Sequence, residues 1–191
     1  MSVMNGSKGF VRSLIGAGCG IVLMASSVPA FSGKAHRHGV AEMEVAVAGS
    51  EVLVSLHVPL DSVLGYERAP RTAAERKAAD AALARFNDVG QTLLVSSAGA
   101  GCVSESVEVT APVLQPSGKA GASADGHAQL DAEYRFRCPA EAASLSVTLR
   151  LFDAFRRLER VEGQAALEKR QRKFVLTPSK PVLQLETGGK P

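Results

Sequence analysis

Methionine is scarce in this 191-residue chain, 4 in all, which argues against a methionine-rich copper carrier. No apolar run approaches the roughly 20 residues needed to span a bilayer, so a membrane-embedded protein is not expected. The sequence has no Gly-x-Ser-x-Gly, no Gly-rich phosphate loop after a strand, no His-Glu-x-x-His and no nucleophile with a nearby base. An enzyme is therefore not expected. A strong charge of one sign is also lacking, with 22 basic against 19 acidic residues. Such a balance gives no support to a nucleic-acid or anionic-membrane partner.

The first thirty residues carry Lys8 and Arg12, no acidic residue, an apolar stretch from Leu14 to Met24, and Val28-Pro29-Ala30. Those features spell a secretory signal peptide over residues 1–30, and with it a periplasmic location. Its removal takes two basic residues, leaving 20 against 19, and a remainder of 161 residues (31–191) suited to a single domain. Cysteine is as scarce as methionine, 3 in all, and Cys19 falls inside the apolar stretch of the leader. The remaining pair, Cys102 and Cys138, predicts one disulfide in an oxidising compartment. Closing a loop of that length should contribute roughly 3–4 kcal/mol on the chain-entropy model.

What is present is mostly strand pattern. From Val40 onward Ala41, Met43, Val45 and Val47 alternate with Glu42 and Glu44, Gly49-Ser50 supplies a turn, and Glu51 to Val58 is a second β-rich run. This predicts an antiparallel hairpin ended by Pro59. Arg71 to Phe86 is rich in Ala, Arg, Lys and Glu, opens on Thr72 with Glu75 three positions on, and sets Ala79, Leu83 and Phe86 near one face. That pattern predicts a capped amphipathic helix. Further β-like runs cover Val103–Val109, His127–Arg137, Leu145–Phe152, Leu158–Ala166 and Arg172–Leu176. The fold class expected is α+β, with mostly antiparallel sheet and one main amphipathic helix. The Pro, Gly, Ala and Ser-rich segment from Ala111 to Gly126 reads as a mobile loop. The basic run Lys169–Lys173 reads as a solvated face between strands. A weak echo between "AEME" and "AQLD", each followed by an apolar strand and a short helical patch ("LDSVLGY", "LFDAFRRL"), admits two related hairpin units.

Chemistry concentrates on the 4 histidines, His36, His38, His57 and His127. In His36-Arg37-His38 the two imidazoles, at i and i+2 of an extended backbone, project to one side and can reach one ion. Asp125-Gly126-His127 repeats the spacing with a carboxylate. By parity His38 shares a face with Glu42 and Glu44, and His127 with Asp131 and Glu133. If the strands that begin at these two places were neighbours, three histidines and Asp125 would form a tetrahedral set suited to zinc, with nickel(II) or copper(II) as alternatives. Cleavage at Ala35 would instead create an amino-terminal copper(II) or nickel(II) site. An exposed His-x-His near a new N-terminus also suits a flexible polar tail. His57, on the face of Leu53 and Ser55 in an apolar strand, reads as a satisfied core or edge histidine.

With those residues in view, the mature chain resembles the ZrgA-like family of bacterial periplasmic zinc-binding proteins. The segments that carry the likeness are "HRHGVAEMEVAVAGSEVLVSLHVPLDSVLGYERAP" followed by a helix, "GHAQLDAEYRFRC", and "PSKPVLQL". The resemblance implies a periplasmic zinc binder associated with uptake under zinc-poor conditions and with a zinc ABC importer. It sets His36, His38 and His127 at ligand-like positions. Glu67 lies in Gly65-Tyr66-Glu67-Arg68-Ala69-Pro70, similar to a Gly-Phe-Glu-His-Ala-Pro stretch of the family, and becomes a candidate ligand or an acceptor that orients one. Asp125, Glu67 or Glu42 would complete or orient the set of three histidines. A pairing with Arg68 is the alternative for Glu67. Two departures stand out. Arg68 replaces a common family histidine and cannot bind zinc because it stays protonated. The His, Asp and Glu-rich loop of many members is here the Gly/Ala/Ser segment, which favours one or two defined sites over multi-ion storage. Other functions remain open: a structural or partner-binding envelope domain that has lost metal storage, or a zinc hydrolase using a base such as Glu44.

Overall fold

Alternating burial along the first two strands shows why this part of the chain forms a hairpin. In the computed structural model, β1 (Val40–Ala48) buries Ala41, Met43 and Val45 and exposes Glu42 and Glu44, while β2 (Glu51–Pro59) buries Val52, Val54, Leu56 and Val58. Gly49 takes a φ of 59° at the turn, a conformation that glycine adopts without strain. The hairpin expected around Gly49-Ser50 is therefore present. The residues described are 37–97, 100–114, 128–139, 144–168 and 170–186, all within one compact unit, Ala35–Pro191. The leader expected over 1–30, and His36, Asp125 and His127, lie outside the described residues. No helix among the described residues is long and apolar enough to cross a membrane.

After β2 come α1 (Leu60–Leu64), α2 (Ala73–Asn87), α3 (Val89–Thr92), β3 (Leu93–Ser97), β4 (Ala100–Gly101) and β5 (Val103–Thr110). Then follow β6 (Gln129–Arg137), β7 (Ser144–Leu149), β8 (Arg160–Leu167), β9 (Arg170–Leu176) and β10 (Val182–Glu186). Two sheets result, one of six strands in the order β5-β6-β2-β1-β8-β9 and one of four in the order β10-β7-β3-β4. Their buried faces contribute to one apolar core, each large side chain in it worth roughly 1.5–3 kcal/mol of burial. The fold is α+β with mostly antiparallel pairing. Among the described residues, β1 with β8 is the parallel exception.

The main helix starts where the sequence predicts. The Thr72 hydroxyl accepts from the Glu75 backbone N–H at 3.1 Å, and the Glu75 carboxylate accepts from the Thr72 N–H at 3.2 Å, a reciprocal capping box. Ala79, Ala82 and Phe86 are buried. Phe86 stacks on Phe155 with centroids 5.6 Å apart, and its carbonyl accepts from the Tyr134 hydroxyl at 2.7 Å. The disulfide Cys102–Cys138 is present, with Cα atoms 4.4 Å apart. Cys102 lies where the chain passes from β4 in one sheet to β5 in the other, so the bridge fastens that crossover to the end of β6.

Several expectations are corrected. The echoing units do not repeat a hairpin, because β6 pairs with β2 and β5 while β7 pairs with β3 and β10. The run expected to Phe152 ends at Leu149, and those expected from Leu158 and Arg172 begin at Arg160 and Arg170. Three strands, β3, β4 and β10, were not expected. Arg170 to Lys173 lie within β9, not between strands, and Arg170 and Arg172 donate to the β10 carbonyls of Glu186 and Gln184 at 2.5 and 3.1 Å. The expected loop begins later than Ala111, which is fully buried, with Val113 and Leu114 packed against the core. Residues 115–126 of it lie outside the described residues.

Candidate metal centre

The backbone that carries His38 is fastened from two sides. Gly39 has a φ of 76°, and a side chain there would meet Glu159 at 3.0 Å and the Arg157 carbonyl at 3.2 Å. Glycine thus lets β1 begin in close contact with the turn before β8. The Gly39 carbonyl accepts from the Glu159 and Arg160 N–H groups at 2.8 and 3.1 Å, and its N–H donates to the buried Ser62 hydroxyl of α1 at 3.1 Å. Arg37 pairs with Glu162 of β8, whose carboxylate also accepts from Arg160 Nε at 2.9 Å.

On the other side, Pro59 closes β2, and the Leu60 N–H donates to the Ala128 carbonyl at 2.9 Å. α1 ends at Gly65, in a left-handed conformation with φ 80°, as helix C-termini favour. The next residues turn Glu67 back toward His38. Arg68 holds this turn to α2 with a two-pronged ion pair to Glu75, at 2.7 and 3.1 Å, while stacking 4.6 Å over the Tyr66 ring. The Arg68 guanidinium, with the Arg71 and Thr72 N–H groups, holds the Glu75 carboxyl down to about 2. The arginine that cannot bind metal thus positions the loop carrying Glu67.

His38 stands between two carboxylates. Its Nδ1 lies 3.6 Å from Asp61 Oδ2 and its Nε2 lies 3.8 Å from Glu67 Oε1. The imidazole is 66% exposed, whereas Asp61 and Glu67 are 24% and 17% exposed, so an exposed ring faces two largely covered acids. Both gaps exceed hydrogen-bonding distance. A zinc ion about 2.0–2.1 Å from each of two donors at a tetrahedral angle separates them by about 3.3–3.4 Å. Nε2 and Glu67 are only a few tenths of an ångström wider than that, and rotation of the exposed ring closes the difference. Asp61 on Nδ1 then occupies the place of the carboxylate that orients a ligating imidazole. Asp61 was missed from the sequence; its signal was the patch "LDSVLGY" directly after the strand-ending Pro59.

The starts of β1 and β6 are not neighbours. β2 lies between these strands, so they are separated by two strand spacings, about 9–10 Å. The adjacency on which that ligand set was framed is corrected accordingly, while His36, Asp125 and His127 lie outside the described residues. Among the described residues, no three His, Cys, Asp or Glu side chains converge as a group able to hold an ion. Of the sequence candidates, Glu67 is beside His38. Glu42 lies further along β1, in register with His57 of β2 and Glu162 of β8.

His57 is satisfied on one nitrogen, but it stands half-exposed on an interior strand and not in the core or at an edge. Its Nδ1 lies 2.7 Å from Asp131 Oδ1, across the β2–β6 register in which the two residues are partners. Gln129 Nε2 donates to the same carboxylate oxygen at 2.5 Å. The hydrogen bond to Asp131 raises the imidazole pKa above its ordinary value, helped by the charges of Asp131, Glu44 and Glu42 and opposed by partial burial.

Residues 35–185 match the family model described as "ZrgA family zinc uptake protein". The match covers both sheets but for the last residue of β10, and every described residue of the candidate centre. A search of curated proteins found no match.

Proposed function

The chain belongs to the ZrgA family of zinc uptake proteins, and from that membership we propose that it is an exported, non-enzymatic zinc-binding protein of the periplasm contributing to zinc acquisition. The observation that supports a defined site is the position of His38, with one ring nitrogen 3.8 Å from Glu67 and the other 3.6 Å from Asp61. Glu67 is the carboxylate ligand, Asp61 orients the imidazole, and His36 and His127 complete the set with Asp125 in reserve. Chain connectivity keeps His36 within two residues of His38, and His127 adjoins Ala128, whose carbonyl holds the first residue of α1. An imidazole and carboxylate donor set suits zinc, and admits copper(II) or nickel(II). The ion is cargo, passed on to a zinc ABC importer.

Calorimetric titration of the mature chain with zinc at neutral pH tests this proposal. Saturable binding tighter than micromolar, lost in His38→Ala and Glu67→Gln, is the expected result. Absence of such binding, or affinity unchanged by both substitutions, overturns it and leaves an envelope domain whose histidines are incidental. Because neutral imidazole is required, binding weakens below about pH 6.

A further inference from the structure

The basic run that opens β9 has no part in the His38 centre, the end site. From Arg170 to Pro181 the chain carries Arg170, Arg172, Lys173 and Lys180 and no acidic residue. Among the described residues, none of the four is ion-paired with a carboxylate; Arg170 and Arg172 each place one nitrogen on a β10 carbonyl. A guanidinium has five N–H donors, so both keep donors for an anion. The β9 edge beside them is open as well. β9 ends one sheet and β10 the other, and among the described residues their main chains bond to each other only at Thr177 and Lys180. Past that turn, arginine side chains and not a ladder span the gap. On the outer face of β9, Lys173 and Val175 are exposed, Val175 by 55%. An unpaired edge with free N–H and C=O groups is a ready template for an added strand.

We propose that the edge of β9 docks an extended acidic segment of a partner protein, with carboxylates at alternate positions set on Arg170 and Arg172 and with Lys173 adding charge beside them. Residues i and i+2 of a strand are about 6.6–6.8 Å apart, and an extended partner repeats at the same interval, so Glu-x-Glu meets the two guanidinia one to one. Each guanidinium holds a carboxylate through two parallel N–H donors, a bond about twice as strong as that to a neutral carbonyl. The partner's main chain pairs with that of β9, a mode in which backbone supplies affinity and alternate side chains supply selectivity. A second copy of this chain does not offer such a segment from its described residues. Its other edge in the same sheet, β5, sets Glu105 and Glu108 three residues apart, with Glu105 held by Arg137. Glu42-x-Glu44 and Asp131-x-Glu133 have the spacing but lie on the interior strands β1 and β6. An anionic lipid surface uses positive charge without regard to spacing. Arg170 pairs with Leu167, seven residues along β8 from Arg160, where β1 begins, a distance of about 23 Å. A segment docked there leaves the end site uncovered.

Two synthetic peptides of equal composition, one alternating Glu with Thr and one with its glutamates grouped, test the proposal by fluorescence anisotropy on the full mature chain. The alternating peptide is expected to bind about tenfold tighter than the grouped one. Joint Arg170→Gln and Arg172→Gln substitution removes that preference, and Lys173→Gln, which leaves the β10 contacts in place, weakens binding several-fold. A measurement independent of mutant folding is NMR of the wild type, in which the β9 amides shift and gain exchange protection when the alternating peptide is added. No binding of the alternating peptide, equal binding of the two, a preference that survives the double substitution, or shifts that spare β9 overturns the proposal. Stronger binding to phosphatidylglycerol vesicles than to either peptide assigns the run to a lipid surface and overturns it too. So does self-association that the double substitution abolishes, which assigns the edge to a second copy. Zinc affinity is unchanged in all three substitutions, so failure here leaves the end site standing.

Discussion

The start of β1 and the exposed face of its neighbour β2 both set a histidine among carboxylates, but they do it by different means. At the start of β1, His38 is placed by backbone: Gly39 docks on the turn before β8 and on Ser62 of α1, and Gly65 turns the chain so that Glu67 returns. On the sheet face, His57 is placed by strand register alone, and Asp131 is already hydrogen-bonded to it at 2.7 Å. The first arrangement leaves gaps of 3.6 and 3.8 Å around an exposed ring; the second closes one nitrogen and leaves the other. Loops can close around an ion and exclude water, whereas a flat sheet face stays open. The end arrangement is accordingly the one suited to closing around an ion.

The sharpest way to break that contrast is to remove the carboxylate that only the end site uses. Glu67→Gln is expected to abolish zinc binding tighter than micromolar there and to leave the His57–Asp131 pair unchanged, as read by competition with a chromophoric chelator and by the His57 ring signal. A smaller effect is expected from Ser62→Ala, which strands the buried Gly39 N–H. The fold should lose about 1–3 kcal/mol in denaturant titration, and the end site should weaken while His57 chemistry does not change. Arg68→Ala comes next. Releasing Glu75 loosens the turn that carries Glu67, so zinc affinity should fall several-fold, within about a tenfold limit set by its indirect role. Loss of its partners also moves the Glu75 carboxyl up from about 2 toward 4.5, a shift visible by NMR titration.

The smallest effect concerns pH at the His57–Asp131 pair. The His57 pKa is raised above 6.5 in the folded chain. The pair with Asp131 therefore stabilises the fold fully below about pH 6.5 and loses that contribution as pH rises through the raised value. Asp131→Asn should bring the His57 midpoint down toward 6.5 and flatten this part of the stability profile. An unmoved midpoint would mean that Asp131 does not control the imidazole.

Much of this was legible in the chain itself, because it rests on local rules. Alternation of Ala41, Met43 and Val45 with Glu42 and Glu44 specified a half-buried strand, Thr72 with Glu75 specified a helix start, and Cys102 with Cys138 specified a bridge. His38 and Glu67 were visible as candidates through their motifs. Other features were hidden for a physical reason. "LLVSS" and "VLQLE" are too short for their period to separate strand from loop, so β3 and β10 became strands only by pairing with β7. The role of Arg68 depended on where Glu75 would stand once the helix was capped.

By itself, then, the sequence determined the strand faces, the capped helix, the cysteine pair and the histidines that could meet a metal, since each follows from spacing along one segment. Tertiary structure alone decided that β2 separates β1 from β6, that Asp61 joins Glu67 around His38, and that Asp131 reaches His57 across 74 positions of sequence. Those outcomes depend on which strands pair and in what register. Pairing is chosen by burial of the whole apolar face and not by any residue of the site.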